Sequence, residues 1–583
     1  MTNSGTGKTV KADVLVIGGG LAGTWAAVRA ADFTDNVVLV DKAQVSRSGA
    51  STSAAGVMLA PMPGDDLQAW LEELVERGDF LADQDWVQVM LTDQIARIQE
   101  MESWGTDFER EADGSLARIV GRGHVNTRML MFHGQKMMEM MRKQVLKKKV
   151  KLVERVAVTD LLTSDGLHPT QGKAVGAVGF DCRSGEPYVF EAKATVVSTG
   201  CIHPKRGGMY VDNINGDGHG MGFRAGADLI GVEFNTAGHL QGWGRRYWFA
   251  CLNMIQNLGA KFVNARGERI MAKYDPALME RSLLSTLTQA FCKEVLEGRG
   301  PIYCDMRDFT PEGIARFRRV VPRAMLIFDK LGVDLNKDVV ELTPFNGVFG
   351  TCGDGGLWVN TYCESSIPGL YGAGGATKIL PHGTYSVGGV NLAYCCVSGH
   401  RAGENAANYA KVFGQVPVQQ DQAQALLDQT FAPLEREAGV RPDDVFDRVM
   451  ETTVPAEYST FKHEKRINKV LAQLEDIKGA LTGLSAPNPH ELVKAHEARN
   501  YVQCAELVFK AALERTESRG SHYREEYPYR DDDNWLKWIV LRRSNGGVDV
   551  RLEHIPMYRY PVKPGTYGQK PHPVQFSFEE KEA

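Results

Sequence analysis

The chain has 583 residues, of which 43% are hydrophobic and 24% are charged, and its formal net charge is −5. This length exceeds what one hydrophobic core can serve, so we expect two or three domains. The charge offers no basic field to a nucleic acid or an anionic membrane surface, and the lack of a long apolar run predicts a cytoplasmic, soluble protein that is not an integral membrane protein.

The ten cysteines are scattered along the chain and form no C-x-x-C pair. Zinc sites and iron–sulfur clusters use closely spaced cysteines. The spacing therefore argues against a metal site held by this chain alone.

The first predicted element is an apolar strand over 14–17, followed by the run GGGLAG and a helical segment. The glycines have the G-x-G-x-x-G spacing of a dinucleotide fingerprint, in which Gly18 allows the turn, Gly20 admits the pyrophosphate and Gly23 lets the helix pack on the strand. The amides at the helix start favour an anion. A second apolar strand ends in Asp41, 18 residues after the last glycine, where a carboxylate would accept hydrogen bonds from an adenosine ribose.

The loop after Asp41 is made of small residues that could lie flat against a ring system, and we select as cofactor contacts Lys42, Ser48, Gly49, Ser53 and Gly56. This loop resembles the flavin loop of the succinate dehydrogenase/fumarate reductase flavoprotein family, and its R-S-G-A run at 47–50 is similar to the α subunit of adenylylsulfate reductase. The resemblance implies FAD rather than NAD. In membrane succinate dehydrogenases a histidine near Gly49 carries the flavin covalently, and because this loop has no histidine the resemblance implies noncovalent FAD.

Later blocks resemble the same family in chain order. They are a strand ending at 199–200, a glycine-rich loop and helix at 215–227, a strand at 367–375 that would return to the flavin, and a helix start at 388–393. A run at 517–536 is similar to the family's C-terminal signature. The resemblance implies further cofactor contacts at Thr199, Gly200, Asp217, Gly375, Asn391 and Leu392.

The resemblance implies an α/β fold in which a Rossmann-like FAD-binding domain, residues 10–235 and 350–415, contains an inserted capping domain at 236–349. Helical periodicity at 416–515 predicts a C-terminal helical domain. The C-terminal segment, 516–583, ends in a Pro- and Tyr-rich extended tail. This tail is expected either to strap its own chain or to bind a partner.

Three residues are candidates for catalysis by resemblance. Arg281 stands where fumarate reductases carry a proton-donating arginine, and its alternatives are a purely electrostatic role or a salt bridge within the capping domain. His382 is either an acid/base group or a hydrogen-bonded neighbour of the flavin. His133 is a secondary candidate whose alternative is ordinary packing.

The residues with which the family binds dicarboxylates are missing from this sequence. The family's His-Pro-Thr segment reads Phe234-Asn235-Thr236 here, Thr351 replaces a substrate-binding histidine, and Ser386 replaces an arginine. Losing a charge-assisted partner weakens carboxylate binding, so succinate and fumarate are not expected as substrates.

We therefore expect a flavoprotein oxidoreductase subunit that transfers hydride between flavin N5 and a small non-dicarboxylate substrate, with electrons exchanged with a separate carrier. The resemblance to adenylylsulfate reductase implies that this carrier is a ferredoxin-like iron–sulfur subunit. Two alternatives stay open. One is a fumarate reductase or succinate dehydrogenase with a rebuilt site, and the other is an electron-transfer subunit without a substrate of its own.

Overall fold

The computed structural model describes residues 7–54, 56–203, 213–234, 239–242, 247–248, 252–345, 355–377, 379–385, 387–545 and 547–578. Its strands are β1 (Lys8–Ile17), β2 (Val37–Asp41), β3 (Val57–Leu59), β4 (Arg118–Ile119), β5 (Met129–Met131), β6 (Lys151–Glu154), β7 (Val156–Thr163), β8 (Ala174–Asp181), β9 (Pro187–Val197), β10 (Leu229–Ile230), β11 (His239–Gly242), β12 (Tyr247–Trp248), β13 (Lys261–Val263), β14 (Ile302–Asp305), β15 (Val339–Phe345), β16 (Gly356–Leu357), β17 (Leu370–Gly372), β18 (Tyr529–Asp531), β19 (Lys537–Ser544), β20 (Gly547–His554) and β21 (Gln569–Pro571).

Its α-helices are α1 (Leu21–Ala30), α2 (Ala50–Ser53), α3 (Leu67–Arg77), α4 (Gln84–Ser103), α5 (Gly134–Lys147), α6 (Asp217–Ala225), α7 (Leu252–Asn257), α8 (Met271–Tyr274), α9 (Leu284–Leu296), α10 (Pro311–Val320), α11 (Pro322–Leu331), α12 (Val390–Val412), α13 (Gln420–Phe431), α14 (Pro442–Thr453), α15 (Ala456–Ser459), α16 (Glu464–Ala480) and α17 (Pro489–Glu514). None of these helices combines the length and the apolar character needed to cross a bilayer.

The main sheet has the order β6-β2-β1-β9-β8-β7, and β17 pairs with β9. β1 runs parallel to both β2 and β9, and β17 runs parallel to the end of β9. Residues 14–17 of β1 are buried because helices cover the sheet, as in other parallel sheets. The carboxyl ends of these strands therefore meet at one edge, where open α/β sheets bind their ligands.

Two further layers complete the α/β fold. An antiparallel sheet in the order β12-β11-β15-β14-β13 packs with α9, α10 and α11 around a separate apolar core, as expected for a capping domain. The helices α14, α16 and α17 form the C-terminal helical domain around another core. The predicted fold class is confirmed, whereas the exact domain boundaries stay a prediction.

The Pro- and Tyr-rich tail packs on its own chain. Gln84 exchanges two hydrogen bonds with the backbone of Val562, at 2.7 and 3.1 Å. β21 pairs with β18, and Val574 is fully buried. The contacts that residues 556–578 make with the rest of the chain favour the interpretation that the tail straps its own chain over the interpretation that it binds a partner.

A buried charge network, made of Glu233, Arg515, Glu517, Arg519 and Asp532, joins the C-terminal segment to the FAD-binding domain. Arg515 bonds Glu233 and Glu517, both at 2.8 Å, and Arg519 bonds Glu517 at 2.7 Å and Asp532 at 3.0 Å. The side chains of all five are 0% exposed. Because each carboxylate compensates a buried guanidinium, loss of one partner would leave a charge without compensation.

We predict that Glu517→Gln destabilises the protein by about 3–5 kcal/mol, since it leaves Arg515 and Arg519 undercompensated in the interior. Thermal and denaturant unfolding measure the change. The control is Arg559→Gln, which breaks a surface pair with Asp85 whose side chains are 47% and 43% exposed, and it should alter stability by at most about 1 kcal/mol. Equal melting temperatures for the two variants would contradict the prediction.

Candidate functional site

A deep cavity lies at the edge where the carboxyl ends of β1, β2 and β9 meet, and it runs to the start of α12. All but two of the residues selected from the sequence as cofactor contacts line it: Gly18, Gly20, Asp41, Lys42, Ser48, Gly49, Gly56, Thr199, Gly200, Asp217, Gly375, Asn391 and Leu392. The two others, Gly23 and Ser53, do not line it. We call its two ends the fingerprint end, around residues 18–22 and Asp41, and the far end, around Arg122, Tyr385 and Asn391.

The glycine turn at the fingerprint end brings α1 close to the end of β1. Gly18 has a φ of 107°, which disfavours any side chain there. A Cβ on Gly23 would collide with the carbonyl oxygen of Gly18, so this glycine is needed for helix packing. A Cβ on Gly20 would meet nothing closer than the Ser51 hydroxyl at 3.7 Å. The space in front of Gly20 is thus open, and the start of α1 faces it, as a pyrophosphate requires.

Asp41 lies beside this turn and is engaged by backbone amides. Its Oδ2 accepts from the amide of Gly19 and its Oδ1 from that of Ala43, both at 2.7 Å. Burial raises the pKa of Asp41, and the two amide hydrogen bonds oppose that shift. Each carboxylate oxygen can accept more than one hydrogen bond, so these bonds orient Asp41 without using all of its acceptor capacity.

Lys42 joins three distant segments at the fingerprint end. Its Nζ lies 2.7 Å from Asp217 on α6 and 2.8 Å from Glu497 on α17, and Asn500 donates to Asp217 at 3.0 Å. Burial disfavours the ammonium, but the two carboxylates outweigh it and raise the pKa of Lys42. α17 contributes further cavity-lining residues that the sequence reasoning missed, and no local spacing pointed to them: Val493, His496, Glu497 and Asn500.

The far end is built around Tyr385 and Arg122. The Arg122 guanidinium donates to the Tyr385 hydroxyl at 3.1 Å, and its centre lies 4.6 Å from the centre of the tyrosine ring. Asn391 Nδ2 donates to the same hydroxyl at 3.5 Å. Sequence reasoning assigned no role to either Arg122 or Tyr385, because no motif contains the pair.

His382 contacts both Asn391 and Tyr385. Its Nε2 lies 2.8 Å from Asn391 Oδ1, and its ring stacks on Tyr385 with the centres 4.9 Å apart. An amide oxygen only accepts, so Nε2 carries the proton in this pair. His382 is buried and does not line the cavity, which favours the hydrogen-bonded neighbour over the direct acid/base group.

Arg281 ends a short 3-10 turn just before α9, whose Leu284 lines the cavity. Its carbonyl accepts from the amide of Gly123 at 2.6 Å, which places its backbone next to Arg122. Within the described residues its half-buried side chain forms no hydrogen bond or ion pair, whereas the adjacent Glu280 is paired with Arg269 at 2.8 Å. The salt-bridge alternative for Arg281 thus has no support in this part of the chain.

The other sequence-selected residues lie beside the cavity or outside the described residues. His133 caps α5 by accepting from the amide of Lys136 at 3.4 Å, and burial lowers its pKa. The Ser53 hydroxyl accepts from Arg323 of α11 at 2.9 Å. Four residues that stand in place of the family's substrate-binding residues lie outside the described residues: Asn235, Thr236, Thr351 and Ser386.

Comparisons with known proteins agree with this architecture. A family model described as "FAD binding domain" matches residues 13–392, and one described as "Fumarate reductase flavoprotein C-term" matches residues 447–568. The chain is 27% identical to one subunit of the fumarate reductase (CoM/CoB) of Methanothermobacter marburgensis over 559 residues, which cover 91% of this chain and 97% of that protein.

Two solved structures have the same fold. For E. coli quinol fumarate reductase the TM-score is 0.84 at 23% identity, with 96% of this chain and 99% of that chain covered. For adenylylsulfate reductase of Archaeoglobus fulgidus the TM-score is 0.78 at 21% identity, with 94% and 96% covered.

We predict that Glu497→Gln lowers the stability of the cofactor-loaded protein by about 2 kcal/mol, because it weakens a hydrogen bond to a buried charged group. Dilution should also release the cofactor faster, since Lys42 lines the cavity. Melting temperature and flavin fluorescence measure the two effects. The control is Glu491→Gln on the same helix, which removes a partly exposed pair with Lys494. A Glu497→Gln protein that matches this control in both measurements would refute the prediction.

Proposed function

Since the chain belongs to the succinate dehydrogenase/fumarate reductase flavoprotein family of FAD-dependent oxidoreductases, we propose that it is the catalytic flavoprotein subunit for a small non-dicarboxylate substrate. We propose further that FAD is held noncovalently and that a separate carrier, such as a ferredoxin-like iron–sulfur subunit, exchanges the electrons. A cytoplasmic location is part of the same proposal.

The observation that carries the proposal is the continuity of the cavity between the fingerprint end and the far end. FAD, when bound, supplies the flavin atom that exchanges hydride with a substrate. The amides at the start of α1 would bind its pyrophosphate, and Asp41 would accept from its ribose. Nothing lies within 4 Å of the place where a Cβ of Gly49 would be, which leaves room for the rest of the cofactor. Asn391 at the start of α12 would contact its flavin end.

At the far end, residues of the chain itself could stabilise negative charge that develops on a substrate. The Arg281 side chain does not line the cavity, but its backbone adjoins Arg122 and its side chain has no carboxylate partner within the described residues, so we propose that its positive charge acts on a substrate at the far end. A preorganised cation stabilises negative charge that develops in a transition state. His382 would act indirectly, by holding Asn391 and the Tyr385 ring in place. These proposed roles support a subunit with a substrate of its own over an electron-transfer subunit without one.

A second candidate is a fumarate reductase with a rebuilt site. One observation favours it, since the buried guanidinium of Arg122 brings a positive charge to the far end from a segment other than the one that contains Ser386. Fumarate and succinate are therefore the first compounds to test.

The proposal is tested first on purified protein. We expect a yellow protein from which acid precipitation releases FAD into the supernatant, because the loop at 42–56 has no histidine to form a covalent link. The protein is then reduced anaerobically, and small compounds are screened for reoxidation of the flavin. Turnover of fumarate at an ordinary enzymatic rate of about 10 per second would overturn the non-dicarboxylate proposal. Full turnover by an iron-free, homogeneous protein without any added carrier would overturn the proposal that a separate protein exchanges the electrons.

Arg281→Ala should lower turnover by about a hundredfold or more, as expected when a transition-state stabiliser is removed. FAD content and melting temperature should stay close to those of the wild type, since no contact of the side chain within the described residues is lost. The control is Arg307→Ala, which removes an exposed pair with Asp305 in the same domain. Full activity of the Arg281→Ala protein would contradict a catalytic role for Arg281.

A further inference from the structure

A series of buried hydrogen bonds runs from α3 toward the turn that precedes α12. It begins at Glu73 on α3, whose carboxylate accepts from the amides of Val125 at 3.1 Å and Thr127 at 3.3 Å and also from that of Asn126. Glu73 is 4% exposed, and a carboxylate buried so deeply needs donors of this kind. Glu73 therefore fixes the backbone of residues 125–127 in one position.

His124 extends this series to the turn. The Thr127 hydroxyl contacts the Glu73 carboxylate and lies 2.9 Å from Nδ1 of His124. On the other side of the ring, Nε2 lies 2.9 Å from the carbonyl oxygen of Gly388. A carbonyl oxygen only accepts, so Nε2 donates to it. His124 and Thr127 are both fully buried, and the imidazole is thus held on both sides in the interior.

The turn formed by Gly388 and Gly389 is bonded by two other segments. The amide of Gly388 donates to the carbonyl of Arg122 at 2.9 Å, and the carbonyl of Gly389 accepts from the amide of Leu59 at 3.0 Å. A Cβ on Gly389 would lie 2.7 Å from that same amide nitrogen. Of the three hydrogen bonds to this turn, the one from His124 is made by a side chain, so a single substitution can remove it.

The turn determines where α12 begins at the far end of the cavity. Gly389, Asn391 and Leu392 all line the cavity. No side chain of the described residues caps the start of α12, and the first amides of a helix have no partner within the helix. The positive end of the helix dipole favours negative charge in front of it. Reduction adds negative charge to a flavin, so the position of this helix start affects the reduced and oxidised cofactor differently.

We propose that His124 is a positioning residue that sets the electron affinity of the bound FAD by holding the start of α12 through its hydrogen bond to Gly388. This inference rests on the proposed function and deepens it, because it names the side chain that adjusts the redox behaviour of the same site. Glu73 and Thr127 support His124 by fixing its loop and its ring. None of these three residues lines the cavity, so they act through α12 and not by contact with the cofactor.

The test measures the midpoint reduction potential of the flavin in the purified, FAD-loaded protein. Burial lowers the pKa of His124 to about 4, so at neutral pH His124→Met changes no charge and removes only the donor to Gly388. The potential should fall, since a displaced helix start stabilises the reduced flavin less. We expect the ratio of the affinities for reduced and oxidised flavin to fall about threefold to tenfold, which equals about 15–30 mV for a two-electron couple.

Three further variants make the result specific. His124→Gln should restore most of the wild-type potential, because an amide nitrogen can still donate to Gly388. Thr127→Val removes the hydroxyl beside the imidazole without a change of charge, and it should shift the potential in the same direction as His124→Met but less. The control is Thr92→Val on α4, where an exposed hydroxyl bonds the carbonyl of Gln88 in its own helix, and it should match the wild type. FAD content and melting temperature are measured for every variant.

A potential that is unchanged or raised in a His124→Met protein that retains FAD would overturn the proposal. Equal shifts in His124→Met and His124→Gln would overturn it as well, because the donor to Gly388 would then not be the cause. If His124→Met does not retain FAD, Thr127→Val decides, and a wild-type potential in that variant is contrary to the proposal. A wild type without FAD would instead refute the proposed function, so the two failures are distinguishable.

Discussion

The close approach of Gly23 to the carbonyl of Gly18 determines where the rest of the site can lie. Because no side chain separates them, α1 starts directly against the end of β1. The same kind of contact recurs on α12, where a Cβ on Gly399 or Gly403 would collide with backbone carbonyls of α1. α12 is thereby docked along α1, and its first residues reach the cavity. One sterically required contact at the fingerprint end thus leads, through two helices, to the position of Asn391 at the far end.

The cavity is closed by parts of the chain that are distant in sequence. Its wall includes Ile17 near the N-terminus and Asn500 in the C-terminal helical domain. Lys42 unites these parts, since its ammonium has one carboxylate partner on α6 and another on α17. Contacts between segments this distant in sequence require both segments to be packed in place, and closing the long loops between them has an entropic cost. The helical domain is therefore part of the site and not merely attached to it.

The sequence predicts those features of the site that depend on local backbone chemistry. Gly18, Gly23 and Asp41 could be recognised because a tight turn, a close helix contact and a strand-terminal carboxylate each have a fixed spacing. Positions such as Thr199 and Asn391 were selected through family resemblance, and both line the cavity. Arg122 and Glu497 escaped both approaches, because their importance comes from side chains that meet only after distant segments pack. Ser53 lies in a correctly identified loop, yet its hydroxyl faces α11, since four residues of helix turn it away from the cavity.

The buried charge network has a consequence for how this protein can diverge. Glu517 serves two arginines at once, so changing any single member leaves a charge unmatched in the interior. Viable replacements must then arise in combination, which is slow, whereas residues that face the cavity can change one at a time. None of the network's five members lines that cavity. The network therefore constrains the architecture of the C-terminal segment separately from the residues that would contact a ligand, so a substitution in the cavity wall need not disturb it.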